Sequence, residues 1–189
     1  MMKVGAAVLA AGAGLRYVAS GGTNHKLLES WRGRTVVRWA LEHALEADLA
    51  RTWVVTGAVE LNDVIPTGIE VLVNAHWAEG QATSLQVAID AARLAGLDAV
   101  VIGLGDQPMI PPATWRLVAN AKGSIVVATY DGQRRNPVRL GHEVWDLLPA
   151  VGDEGARSVM RNYPDLVTEI PCDGEPTDID TVEDLTRWD

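Results

Sequence analysis

The stretch LAAGAGLRYVASGGTNHKLL, residues 9–28, sets a glycine-rich turn between an apolar run and two isolated cations, Arg16 and Lys26. Gly12 and Gly14 would let the backbone approach a ligand closely and aim N–H groups at an anion. Arg16 offers a planar fork suited to phosphate, and Lys26 a mobile point charge. Far downstream, GLGDQP ends an apolar run in Asp106. A carboxylate there can coordinate a hard cation such as magnesium, or simply cap a turn. Asp180, in DID, reads as a second metal ligand and equally as the N-cap of a final helix with Thr181 and Asp184 nearby, two compatible roles; Asp178 is a weaker alternative ligand.

Other chemistries find little support. There is no Ser-His-Asp, Cys-His or zinc-spaced cluster, and His25, His43, His76 and His142 are scattered. Cys172, the sole cysteine, cannot form an intramolecular disulfide and reads as an inert loop thiol, which suits a reducing cytoplasm. Gly12-Ala13-Gly14 could open a dinucleotide fingerprint. Its third glycine would fall at Tyr17, however, and TWVVTG (52–57) lacks the acid that should end the second strand. A net charge of -9 argues against a nucleic-acid or anionic-membrane binder. No run approaches the roughly 20 apolar residues of a membrane span. The start MMKVGAAVLAAGAGL carries one lysine and breaks into glycine as a first buried strand would, rather than as a signal peptide.

These residues need elements to hold them. Residues 4–9, 52–56, 69–74, 98–106 and 124–130 read as strands. Helical spacing runs over 36–49. Ser84 can cap a helix passing through Leu85, Ala88, Ile89 and Ala92, and PPATWRLVANA is a helix begun by proline. This alternation predicts an α/β fold with a mostly parallel sheet covered on both faces. The last third is less regular: PVRL, helical stretches near 142–149 and 154–162, a strand near 166–170, and a helix from about 181. At 189 residues without repeat or linker, 1–189 reads as a single domain. Trp31, Trp39, Trp53, Trp77, Trp115, Trp145 and Trp188 carry most of the aromatic volume, since there is no Phe. Trp77 flanks the segment Asn74–Gly80.

The order of motifs resembles the molybdenum-cofactor nucleotidyltransferases, within the sugar-nucleotide-transferase-like superfamily. LAAGAGLR and HKLL look like the family's first signature and its lysine. NAHWAEGQATSLQVAI is similar to its Asn…Glu-Gly…Ser-Leu segment, and LGDQP to its metal-binding acid. GQRRNPV resembles its Gly-x-Arg-Gly-His/Asn-Pro-Val turn, and GDEGAR and DIDTVEDL its two late signatures. The resemblance implies a three-layer Rossmann-like nucleotidyltransferase fold and a magnesium cofactor held by Asp106 and Asp180. It implies catalytic roles for Arg16, Lys26 and Asp106. Nucleotide contacts would come from Leu9, Ala10, Ala11, Gly12, Gly14, Asn74, Gly80 and Ser84. Acceptor contacts would come from Arg134, Arg135, Asn136, Asp153 and Arg157. Nucleotidyl transfer suits such a set, because a phosphate acceptor is already an oxyanion. Positioning, a metal across the triphosphate and cations on the departing pyrophosphate suffice. LAAG resembles the cytidylyltransferase form rather than LAGG of the guanylyltransferase form. The implied substrates are CTP and molybdenum-bound molybdopterin, with transient contact with a molybdenum hydroxylase.

The chain also departs from that pattern. YVASGGTNH separates Arg16 from Lys26, an insert expected to be a mobile lid that brings Lys26 in, and Arg135 stands where the family has glycine. Ser84 and GDEGA also read as plain helix caps. Relatives on this scaffold use GTP or UTP with other phosphorylated acceptors. A non-catalytic molybdopterin or nucleotide chaperone, and a nicotinamide-dependent oxidoreductase, are the readings from other classes.

Overall fold

A computed structural model describes residues 2–187, which leaves Trp188 outside the described residues. Strand β1 (Val4–Ala10) is buried at every position. Its alternate residues enter two different cores. Val4, Ala6, Val8 and Ala10 face one cluster; Ala7 and Leu9 face the other. This is why VGAAVLA shows no polar alternation: both faces of the strand are covered.

Helix α1 (Leu15–Ala19) follows the first loop. The short strands β2 (Ser30–Trp31) and β3 (Arg34–Thr35) then pair as an antiparallel hairpin. Helix α2 (Val36–Glu46) packs Val37, Ala40, Leu41 and Ala44 on the first face. It ends three residues short of its expected limit, where Asp48 takes a positive φ of 55°. Next come β4 (Thr52–Thr56) and β5 (Glu70–Val73). Helix α3 (Gln81–Leu94) lays Leu85, Ala88, Ile89 and Ala92 on the second face. Beyond it lie β6 (Ala99–Leu104) and helix α4 (Pro112–Asn120), opened by its proline as expected. Strands β7 (Ile125–Tyr130) and β8 (Gln133–Gly141), helix α5 (Ala156–Asn162), β9 (Val167–Pro171) and α6 (Val182–Arg187) complete the chain. The stretch expected to be helical near 142–149 is a 3-10 segment, His142–Leu147, which buries Trp145.

The sheet has seven strands in the order β5-β4-β1-β6-β8-β7-β9. Helices α2 and α4 cover one face, α3 and α5 the other, so the expected three-layer Rossmann-like α/β architecture holds. Parallel pairs β1–β4, β1–β6 and β4–β5 bring several carboxyl ends to one edge. The sequence reading missed β8. It runs antiparallel between β6 and β7, and its half QRRN is exposed while PVRLG is mostly buried. Charge and Pro137 hid the strand, and a register shift in its partner between Val127 and Ala128 accommodates the irregularity. Among the described residues no helix is long and apolar enough to cross a membrane.

Candidate nucleotide and metal site

At the carboxyl edge between β1 and β6, a cleft of about 610 Å3 opens, large enough for a nucleotide-sized ligand. Leu9, Ala10, Ala11, Gly12 and Gly14 line it. Gly14 sits at φ 64°, the left-handed turn that starts α1. A Cβ on Gly12 would meet nothing within 4 Å, so packing does not require glycine there. The loop is held from outside. The His25 Nε2 lies 2.9 Å from the Gly12 carbonyl, and its Nδ1 accepts the Leu27 N–H at 3.3 Å. Both bonds together specify a neutral ring with the proton on Nε2. Burial lowers the His25 pKa, in agreement.

The insert after Arg16 is anchored at both ends, by Tyr17 and by His25, with most of the residues between them exposed. Its first residues form α1, and Tyr17 is buried against Trp31, Val36 and Ile179. Lys26 therefore stands inside the site on a fixed backbone. Its Nζ donates to Asp106 Oδ2 at 2.6 Å and to Asp180 Oδ1 at 2.7 Å. Arg16 Nη1 reaches Asp180 Oδ2 at 2.8 Å. Burial opposes the charge on Lys26, but Asp106 and Asp180 outweigh it, and its pKa is raised. The strand end positions the acids. Gly105 N–H donates to the Leu9 carbonyl, and Ile179 N–H to the Asp106 carbonyl, each at 2.9 Å. The second bond docks the 178–180 segment beside Asp106. Asp180 does not cap the last helix. Thr181 and Asp184 form that capping box, with Thr181 N–H donating to Asp184 Oδ2 at 2.8 Å and Asp184 N–H to Thr181 Oγ1 at 3.2 Å.

Asp178 also lines the cleft, and Gln107 Nε2 donates to its Oδ1 at 2.7 Å. Burial and then the charge of Asp106 push the Asp178 carboxyl up. The reading of the residues did not single out Gln107. It is 4% exposed and ties the segment to the strand end by a second bond, to the Pro176 carbonyl at 3.0 Å. Its place next to Asp106 in GDQP was the available signal.

The cleft wall also carries Trp77, Gly80, Gln81 and Ser84. Gly57 lies tightly between Ala11 and Trp77; a Cβ there would fall 2.8 Å from the Cβ of each. Asn74 is not in this wall. It is 2% exposed, donates to Thr83 Oγ1 at 2.8 Å and Ser84 Oγ at 2.9 Å, and accepts the His76 N–H. It fixes the connection into α3 rather than touching the cleft. Ser84 is not the helix cap either: α3 begins at Gln81, after Gly80 at φ 108°. Ala82 N–H donates to the Gly152 carbonyl at 2.8 Å, and Gly152 N–H to the Glu79 carbonyl at 3.0 Å. These bonds bring Asp153 and Arg157 to the cleft.

The expected acceptor group divides. Asn136 joins Arg157 around a small neighbouring cavity of about 50 Å3. Arg134 pairs with Glu169 at 2.7 Å. Arg135 is exposed, outside both cavities, and donates to Gln133 Oε1 at 2.9 Å. It lies on the half of β8 that leaves the sheet core, so the structure does not bring it to the cleft.

A hard divalent ion fits the donor set. Asp106 Oδ1 is buried without a hydrogen-bond partner, and Asp180 adds a second carboxylate. No group of three or more His, Cys, Asp or Glu among the described residues could hold an ion alone. Two carboxylates with phosphate oxygens and water completing the shell is the usual magnesium arrangement. Chemically, the cleft can hold a triphosphate against cations and backbone, with no activated nucleophile in reach.

The family model of the MobA-like NTP transferase domain matches residues 6–167. A nicotine blue oxidoreductase from Paenarthrobacter nicotinovorans is 34% identical, covering 95% of this chain and 93% of its own. Rv0371c from Mycobacterium tuberculosis H37Rv has a similar structure, with a TM-score of 0.82 at 28% identity over 99% of this chain and 97% of its own. Its manganese complex gives 0.80, at 28% identity over 99% and 98% of the two chains. A nucleotidyl transferase from Methanothermobacter, 24% identical over 98% of this chain and 95% of its own, shares the fold with a TM-score of 0.82.

Proposed function

Because the chain belongs to the MobA-like NTP transferase family, we propose that this nucleotidyltransferase transfers a cytidylyl group from CTP to molybdenum-bound molybdopterin. The observation that carries the reading is the sharing of one cleft by the Ala10–Gly14 loop and the Arg16, Lys26, Asp106 and Asp180 cluster. A phosphate oxygen of the acceptor attacks the α-phosphorus of CTP; the bond to the bridging oxygen breaks, and pyrophosphate leaves with that electron pair. The acceptor oxyanion needs no general base. Backbone N–H groups of the first loop and Arg16 hold the triphosphate, and Lys26 meets charge on the departing pyrophosphate. Asp106 and Asp180 would hold a magnesium ion, which supplies charge neutralisation across the triphosphate. Rv0371c forms a manganese complex, which supports a divalent ion here. Asp153, Arg157 and Asn136 lie on the side proposed for the acceptor.

The preference for CTP rests on Ala11. Ala11 lines the cleft beside Gly57, and LAAG resembles the cytidylyltransferase form; a methyl at this position, rather than glycine, favours a pyrimidine over a larger purine. The oxidoreductase relative favours a second reading, hydride transfer from a nicotinamide cofactor. Tyr17 in place of the third glycine, and Thr56-Gly57 rather than an acid at the end of β4, weigh against it.

The test is magnesium-dependent pyrophosphate release with molybdenum-loaded molybdopterin and each of CTP, GTP, ATP and UTP. Release with CTP alone is expected. Release with another nucleotide would keep the chemistry and discard the role of Ala11. No release, together with tight NAD(P)H binding, would establish the second reading instead.

A further inference from the structure

We infer that Lys26 occupies the metal's place in the nucleotide-free enzyme, so that divalent ion and nucleotide load by exchange against the Lys26 ammonium. The inference rests on the metal role proposed above for Asp106 and Asp180. Lys26 Nζ lies 2.6 Å from Asp106 Oδ2 and 2.7 Å from Asp180 Oδ1, bridging the two proposed ligands. All three side chains are largely enclosed, with 12, 19 and 17% exposure for Lys26, Asp106 and Asp180. An ion held by both carboxylates has Asp106 Oδ1 open to it, but on Asp180 it meets oxygens already engaged, Oδ1 by Lys26 and Oδ2 by Arg16. An ammonium and a divalent cation cannot share them in a poorly solvated site, because their repulsion is strong at such short range. One must leave.

The structure shows which part can move. The Lys26 backbone is fixed: His25 caps the turn it opens and bonds to the Gly12 carbonyl. The four-carbon stem of Lys26 remains a rotatable arm, and the same His25 contact sets its root next to the Gly12–Gly14 loop. A triphosphate on that loop would give the displaced ammonium a new anionic partner. Arg16 keeps one hold on Asp180 through Oδ2, and Asp106 Oδ1 is already without a partner. Ion and triphosphate therefore bind with positive coupling, and each raises the affinity of the other. Free divalent ion alone binds weakly, because it must expel Lys26 with nothing to receive it.

The experiment measures Mn2+ binding, with no nucleotide present, by electron paramagnetic resonance on the full chain and on Lys26→Met. Binding at least 10-fold tighter in Lys26→Met is expected. Equal or weaker binding would overturn the exchange. A Lys26→Met chain that is unfolded alone is titrated with Mn2+ instead: folding on addition supports the exchange, and no response overturns it. No nucleotide enters either arm, so a wrong choice of CTP leaves the result readable. If the carboxylates are not ligands at all, Asp106→Asn in the Lys26→Met background binds Mn2+ as well as its parent, which separates failure of the metal assignment from failure of the exchange.

Discussion

The two sides of the cleft are built differently. On the side of β1 and β6, each charged group has a buried anchor. Lys26 lies between two enclosed carboxylates, Ile179 pins the acid-bearing segment into the core, and His25 braces the glycine loop. On the side of β8 and α5, the charged groups pair with surface partners. Arg134 meets Glu169, and Arg161 meets Glu154 at 2.6 Å, all of them half exposed. Exposed ion pairs contribute little and are easily rearranged. The proposed nucleotide half thus has its backbone and acid-bearing segment held in place, with the Lys26 side chain as its exchangeable part, whereas the proposed acceptor half carries exposed charges that are loosely held. Such a division suits a scaffold on which one phosphate-handling core serves different acceptors.

Substitutions at the two sides should separate this contrast. The largest effect is expected from Lys26→Met. Turnover should fall about 100-fold, the scale of losing one charge-stabilising donor. Stability measured by urea unfolding without divalent ion should also fall, by about 2 kcal/mol, because Asp106 and Asp180 are left facing each other without their cation. The lid reading of the insert called for loss of turnover with little loss of stability. The enclosed ion pairs of Lys26 with Asp106 and Asp180 change that expectation.

A smaller effect should follow from pH. Burial lowers the pKa of both His25 and His43 below the ordinary 6.5. The folded state therefore holds them neutral while the unfolded chain protonates. Their contribution is complete above pH 6.5 and is lost as pH falls through that value towards the folded pKa. Thermal melting at pH 7.5 and 5.5 should show the midpoint falling by a few degrees at the lower pH. The double variant His25→Gln, His43→Gln should show a flatter profile. The smallest effect is expected at Arg135→Ala, with stability within about 0.5 kcal/mol and turnover within about twofold of the parent. A large loss of turnover there would show that β8 reaches the acceptor and would erase the contrast between the two sides.

The same contrast governs what could be read from the sequence. Strand β1 and helix α4 were legible because their signals are local: an unbroken apolar run, and a proline opening a helical pattern. Gly12, Gly14, Arg16, Lys26 and Asp106 were legible as types, and the structure brings them to one cleft. The Lys26–Asp180 pair was not, since 154 residues separate the partners and only the fold joins them. Asn74 was assigned to the nucleotide because NAHWAEGQATSLQVAI resembles the family's Asn-bearing segment. Burial turned it inward to Thr83 and Ser84. Strand β8 was hidden by Arg134, Arg135 and Pro137, although Asp131-Gly132, both at positive φ, is a strong hairpin turn signal.

The most direct test of the central claim, that Asp106 at the end of β6 serves nucleotidyl transfer, is pyrophosphate release by Asp106→Ala. It is measured with magnesium and the nucleotide and acceptor that support the parent chain, after circular dichroism confirms the fold. The account predicts at least a 100-fold loss, the several kcal/mol expected when a metal's hold on the triphosphate is removed. A folded Asp106→Ala protein that keeps more than a tenth of the parent's rate would contradict it and move the chemistry away from this edge of the sheet.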